Sequence, residues 1–353
     1  MFDRLPIIAL CSALLFGCTQ ETAKQETTNT PKEIHKTLAI SAIVEHPSLD
    51  DIRRGVIAGL AEQGYQEGKN LTVNFQSAQG NMATAGQIAK QFSADSPDAI
   101  VAISTPSAQT IAAATQSIPI IYTAVSDPVA AKLIDDKGIA TQSNITGLSS
   151  ELPLEPQIKL FQKVKPEAKR IGFVYSSGEM NSVSLKERLK VELPKYGMAL
   201  VDIPINRSSD VAAATRALSG RADLIYTSLD NNVASAMEAM VGVANELKIP
   251  VIASDEFSVR RGATAALGVN DFDFGLTTAK LVAKSLDGTP ANQIKPEVMN
   301  TLTLYVSPKN AQNQGVSLSD ELIKTGMNTD TTPSKAEQKP SEQTANQKTL
   351  IDK

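Results

Sequence analysis

The chain has 353 residues, 42% of them hydrophobic and 20% charged, with 34 Lys and Arg against 38 Asp and Glu. That composition excludes disorder of the whole chain, and at roughly 100 to 200 residues per domain the length predicts two globular units. A net charge of −4 with no basic run of five or more removes nucleic acid as a partner, and two Cys and two His exclude a disulfide framework or a metal site of the Cys₄, Cys₂His₂ or His₃ type, so no metal or cofactor is expected.

Residues 1–17 contain an apolar run of about a dozen residues, too short to span roughly 30 Å of hydrocarbon but the length of a signal-peptide core. Leu15-Phe16-Gly17-Cys18 resembles a bacterial lipobox, which implies cleavage before Cys18, lipidation of that cysteine and a membrane anchor. An uncleaved signal anchor or a simple secretory peptide is the alternative. Cleavage also removes Cys11, leaving a folded body without a free thiol, as suits an oxidising compartment. Residues 18–36 are polar and aperiodic, a flexible tether, and residues 327–353 share that composition and read as a free tail.

Between them, short runs rich in Ile and Val alternate with amphipathic segments. A strand is predicted over 37–44; the helix after it opens near Ser48, carries Ile52, Val56 and Leu60 on one face and stops at Gly64. Strand 71–75, helix 82–93, strand 98–103, helix 108–115 and strand 118–123 follow. After a loop over 139–150 the pattern restarts with helix 154–164, strand 170–175, helix 182–196, strand 198–203, helix 210–218, strand 222–227, helix 234–247 and strands 249–253 and 264–269. Continuous apolar strands joined by helical crossovers are buried on both faces, so the fold class is α/β with two doubly wound parallel-sheet lobes and a hinge. The expected lobes are residues 37–147 with about 270–290 and residues 148–269 with about 291–326, crossing near 144–147 and again near 269–271.

Ligands of such sheets sit beyond the carboxyl ends of the strands, in the crevice between two facing units. The loops there carry Glu45, Ser104, Thr105, Ser107, Ser126 and Asp127 in the first unit and Glu179, Asn181, Asp230, Asn231 and Asp255 in the second. The helix that follows Ser104 can hold a carboxylate on its unpaired N–H groups, while the acids suit an ammonium. Each of these residues is also a candidate N-cap, which alone accounts for its position before a helix. Asp255 and Asp230 follow their strands most directly and are the first candidates for an amine.

Val44-Glu-His-Pro-Ser-Leu-Asp50, Ser104-Thr-Pro-Ser-Ala-Gln109, Val125-Ser-Asp-Pro128, Asn144-Ile-Thr-Gly147, Thr227-Ser-Leu-Asp-Asn-Asn-Val-Ala-Ser-Ala-Met237 and Lys248-Ile-Pro-Val-Ile-Ala-Ser-Asp255 resemble segments of the ABC-transporter substrate-binding proteins of the tryptophan/tyrosine type (TrpX-like). The resemblance covers about residues 37–318 and implies a type I periplasmic-binding-protein fold, hinge closure on a small ligand such as an aromatic amino acid, and delivery to an ABC permease and ATPase by an extracytoplasmic, monomeric, membrane-anchored protein. It implies that the Ser104 to Ser107 loop, Asp127, Glu179, Asn181, Asp230 and Asp255 line the cleft. Ser104 stands where Gly is commoner in that family, Ser126 where Thr is, and Ser228 where Pro is.

No G-x-G-x-x-G, Walker, G-x-S-x-G or H-E-x-x-H motif occurs, and His46 is the only histidine of the body, so no enzyme is predicted. A ligand-binding sensor subunit that docks on a membrane receptor is the second reading, since the fold alone does not separate the two outputs. An aromatic ligand needs an apolar slot, for which Tyr122, Tyr175, Tyr226 and Phe257 are open candidates.

Overall fold

A computed structural model describes residues 35–150 and 152–334; Cys18, the signal segment and residues 335–353 lie outside the described residues. The first lobe is built from β1 (Lys36–Ala42), α1 (Pro47–Glu62), β2 (Leu71–Ser77), α2 (Met82–Asp95), β3 (Ala99–Ile103), α3 (Thr105–Ala114), β4 (Ile120–Val125) and β5 (Ile145–Ser149). The second contains α4 (Leu154–Val164), β6 (Arg170–Ser176), α5 (Met180–Glu192), β7 (Ala199–Ile205), α6 (Val211–Arg216), β8 (Leu224–Tyr226), α7 (Asn231–Ser235), α8 (Met237–Leu247), β9 (Val251–Ala253), α9 (Glu256–Arg260) and β10 (Ala265–Gly268). The chain then returns to the first lobe for α10 (Asp271–Leu286) and β11 (Glu297–Val298), and ends in the second with β12 (Thr303–Val306), α11 (Pro308–Asn313), α12 (Asp320–Thr325) and β13 (Met327–Asn328).

The sheets run β11-β5-β4-β3-β1-β2 and β13-β12-β10-β9-β8-β6-β7. Every pairing in the first is parallel, and in the second only β10 with β12 is antiparallel. β3 is buried at every residue, as expected of an Ile/Val strand covered on two faces. Each lobe therefore has an apolar layer on either side of its sheet, with Phe92 and Tyr122 under one face of the first and Phe161, Phe173 and Tyr226 under one face of the second.

The strand order turns back between β1 and β3 in the first lobe and between β6 and β8 in the second, which puts two topological switch points opposite one another. The chain passes between lobes from β5 to α4, from β10 to α10 and from β11 to β12. The crossing expected near 144–147 is thus displaced: Ile145 to Gly147 belong to β5, which pairs with β4, and the passage begins after Ser149. Residues 291–298 go to the first lobe rather than the second, because β11 pairs with β5. The free tail begins later than residue 327, since β13 pairs with β12 and Arg260 donates to the Thr329 and Thr332 carbonyls. Strand β1 likewise takes Lys36 from the tether. No helix among the described residues is long and apolar enough to cross a membrane.

α1 and α10 pack with their backbones almost touching. A Cβ on Gly55 would stand 2.2 Å from the Phe272 carbonyl oxygen, and one on Gly275 2.1 Å from that of Ile52. Only glycine permits this approach, and it brings the N-termini of both helices side by side at the cleft.

Candidate functional site

The cleft between the lobes encloses about 630 Å³ of atom-free space, its mouth included. The first lobe contributes His46 and Ser48 at the start of α1, Ser104 and Thr105 at the start of α3, and Asp271 at the start of α10. From the second come Asn181, Ser228, Asn231, Ser254 and Asp255. Leu49, Ile52 and Phe274 form an apolar wall on one side, with Leu152, Leu229 and Val269 completing it.

Ser104 caps α3 at φ 83°, a left-handed conformation that favours glycine. Holding serine in that conformation stores strain of order 1–3 kcal/mol. Ser104 is 3% exposed and its hydroxyl has no partner among the described residues. The Thr105 and Ser107 N–H groups lie in the first turn and so have no intrahelical acceptor, while Pro106 between them has no N–H to satisfy.

Asp255 caps α9: its Oδ1 accepts from the Ser258 N–H at 2.8 Å and its Oδ2 from the Ser258 hydroxyl at 2.5 Å. The Ser48 hydroxyl of the other lobe donates to the same Oδ1 at 3.0 Å. A second bond joins the lobes where the Ser184 hydroxyl donates to Asp127. Burial holds the His46 imidazole down to about 4; Asp255 favours its charged form, Arg261 opposes it, and a side-chain hydrogen bond with Asn231 favours it. Asp271 carries its carboxyl well above the usual range because it is buried and faces Asp255, with the Ser48 hydroxyl acting the other way.

Of the residues expected from sequence, Ser104, Thr105, Asn181, Asn231 and Asp255 come together on the cleft. The others are placed differently. Glu45 is exposed and accepts from Gln79 Nε2 at 2.5 Å, outside this lining. Ser107 is buried one turn below, its hydroxyl without a partner among the described residues. Ser126 and Asp127 line an adjoining recess with Ser184 and Arg188; Asp127 also accepts from the Ala130 N–H at 2.8 Å. Glu179 is buried behind Asn231, accepting from its N–H at 3.1 Å and its Nδ2 at 2.6 Å, and burial followed by repulsion from Asp230 pushes its carboxyl up to about 8.

Asp230 is an internal cap rather than a cleft carboxylate. It accepts from Ser176 N at 2.6 Å, Ser176 Oγ at 2.8 Å, Ser182 Oγ at 2.7 Å and Val233 N at 3.0 Å, all within the second lobe. Among the aromatic candidates, Tyr122 and Tyr175 are core residues, Tyr226 is buried but lines the adjoining recess, and Phe257 is absent from both linings; in the main cleft Phe274 supplies the ring. His46, Ser48, Asp271 and Phe274 were not singled out from sequence as ligand residues. Asp271 follows β10 as Asp255 follows β9, and that relation was the available signal.

Two α/β lobes, mostly parallel, with facing switch points and a cleft lined from both, define a two-lobed solute-binding protein of the type I periplasmic-binding-protein fold. The chain belongs to the ABC transporter substrate binding protein family, whose profile matches residues 37–329. It is a binding protein and not an enzyme. A tyrosine-binding protein of Clostridioides difficile (strain R20291) is 37% identical over 299 residues, 84% of this chain and 86% of that protein. The domain crystallised in complex with L-Trp from Streptococcus pneumonia is 29% identical, with TM-score 0.80 over 83% of this chain and 99% of that one. A substrate binding protein with adhesive properties from Clostridium difficile, in its ligand-free, open form, is 34% identical over the same shares but superposes at only 0.64. Within this chain the Ser48–Asp255 and Ser184–Asp127 bonds hold the two lobes in contact.

Proposed function

We propose that this protein binds an aromatic amino acid between its lobes on the extracytoplasmic side of a membrane and delivers it to an ABC permease and ATPase. The observation that carries this reading is the composition of the cleft: one wall of Leu49, Ile52 and Phe274 for a ring, and buried polar groups on both lobes for the ends of a small zwitterion. The names of the tyrosine-binding and L-Trp-bound relatives point the same way. Ser104, Thr105, Asn181, Asn231 and Asp255 form the ligand-facing set. The protein acts as a monomer held to the membrane through lipidated Cys18, which lies outside the described residues.

A thermal-shift screen of the purified body over the twenty amino acids tests the ligand. Saturation at about 100-fold over Kd adds roughly 2.7 kcal/mol to stability, so L-tyrosine or L-tryptophan should raise the melting temperature by several degrees, and a flat response to both overturns the reading. Cys18→Ser should release the protein from the membrane fraction; unchanged partitioning refutes the anchor.

A further inference from the structure

The cleft brings together two acidic side chains, Asp255 and Asp271, with no ion pair to either among the described residues. Asp255 has both oxygens engaged, by Ser258 and by Ser48. Asp271 is 5% exposed, lines the same cleft, and its Oδ2 has no hydrogen-bond partner among the described residues. The nearby basic groups are occupied elsewhere: Arg260 is paired with Glu256 and Arg261 with Glu238, while His46 is held neutral by burial. A buried carboxylate oxygen left without a donor costs free energy that a cationic partner returns. The Ser48 hydroxyl lies between the two acids and has one hydrogen; donated to Asp255 Oδ1 at 3.0 Å, it cannot also serve Asp271. On the opposite side of the lobe's switch point the α3 N-terminus presents the Ser104 hydroxyl, buried and equally without a partner, beside the first-turn N–H groups of Thr105 and Ser107.

We propose that Asp271 is the amine anchor of the cleft: its Oδ2 accepts from the protonated α-amine of the ligand, while Ser104 and the N-terminus of α3 hold the α-carboxylate. The site therefore selects free amino acids and rejects the same side chains when either end is missing or blocked. This rests on the reading of the protein as an amino-acid binder and deepens it. Asp255 supplies a second negative charge next to the amine, and its own hydrogen bonds orient Ser48. The elevated carboxyl of Asp271 is the counterpart of the same geometry, because burial beside Asp255 is what an arriving ammonium relieves.

Titration calorimetry separates the two levels of the argument. Wild type is titrated with L-tyrosine and L-tryptophan, then with 3-(4-hydroxyphenyl)propionate and indole-3-propionate, which keep the ring and the carboxylate but lack the amine. Wild type should lose roughly 30-fold to several-thousand-fold in Kd on the amine-free compounds, the penalty for leaving one member of a buried charge pair alone. Asp271→Asn should bind the amino acids more weakly by a similar factor and should no longer distinguish them from the amine-free analogues. Collapse of that ratio is an effect that a merely structural role would not produce. Asp271→Ser, which keeps a residue suited to a helix start, serves if the Asn variant does not fold. If wild type binds neither amino acid, the proposed function fails. If it binds them and the amine-free analogues alike, the anchor is wrong whichever variant folds. A folded Asp271→Asn or Asp271→Ser that retains the full wild-type ratio also overturns the proposal.

Discussion

Asp230 and Asp271 both follow a buried strand and both sit at the start of a helix, yet only Asp271 faces the cleft. What separates them is the supply of donors within the lobe. Ser176 and Ser182 lie 54 and 48 residues from Asp230 and fill its oxygens, a pairing made by the β6–β8 register that no local pattern announces. The candidate loops were thus legible from strand ends and cap-forming residues, whereas the direction of each side chain was not. Asn has one acceptor where Asp has two oxygens, so Asp230→Asn should leave donors of Ser176 or Ser182 unmet and cost about 2–4 kcal/mol in urea denaturation, with ligand affinity nearly unchanged. A loss of affinity without loss of stability would return Asp230 to the cleft. Glu179 gives a pH signature. Its carboxyl rises from 4.5 unfolded to about 8 folded, so the folded state binds the proton more tightly. Its contribution to stability is complete below pH 4.5 and is lost as pH climbs to 8. Glu179→Gln should therefore match wild type near pH 4 and exceed it increasingly from pH 5 to 8; parallel stability curves would refute the shift.

At the scale of elements, the site depends on the α1–α10 contact. Ser48 starts one helix and Asp271 the other, and Gly55 with Gly275 sets their separation. A Cβ on Gly275 would lie 2.7 Å from Gly55 Cα as well as against the Ile52 carbonyl, so the helices must part. Gly275→Ala should destabilise by at least the roughly 1–3 kcal/mol typical of overpacking, and should weaken ligand binding in the fraction that folds. Gly86→Ala in α2, where a Cβ meets nothing within 4 Å, should instead stabilise by up to about 1 kcal/mol; thermal denaturation of the pair gives the comparison. Gly275 carries no signal in sequence, because its neighbour in space comes from a helix 220 positions earlier. The Ile/Val strands of both lobes were legible for the opposite reason: burial on two faces writes itself into consecutive residues, as in β3 and β6. α10 and β11 to β13 were harder, since they belong to whichever sheet they pair with after a crossing, and β11 has only two residues with which to show it. Pro194 likewise converts the end of the predicted helix 182–196 into a separate 3₁₀ turn at Leu193–Tyr196.

For the whole molecule, the lobes are joined by chain passages after β5, β10 and β11 and by side-chain bonds across the cleft, and these make different demands on ligand exchange. The passages permit hinge motion; the bonds form only when the lobes meet. Ser184 and Asp127 make one such bond outside the main ligand lining, so breaking it alters closure without touching the proposed contacts to a ligand. In Ser184→Ala the Asp127 Oδ1 keeps its bond to Ala130, so each lobe retains its own structure. The lost bond stabilises the closed arrangement by about 1–2 kcal/mol after allowance for its partial exposure, which corresponds to roughly 5- to 30-fold in Kd. Because the encounter with open lobes is unaffected, that factor should fall on the dissociation rate. Stopped-flow release of L-tyrosine or L-tryptophan, whichever binds, should be faster by this amount in Ser184→Ala with an unchanged association rate. Small-angle scattering should show wild type contracting on saturation, and the variant reaching the same radius at higher ligand concentration. An unchanged dissociation rate, or a radius indifferent to saturating ligand, would mean that the two lobes do not close by the hinge that their three connections suggest.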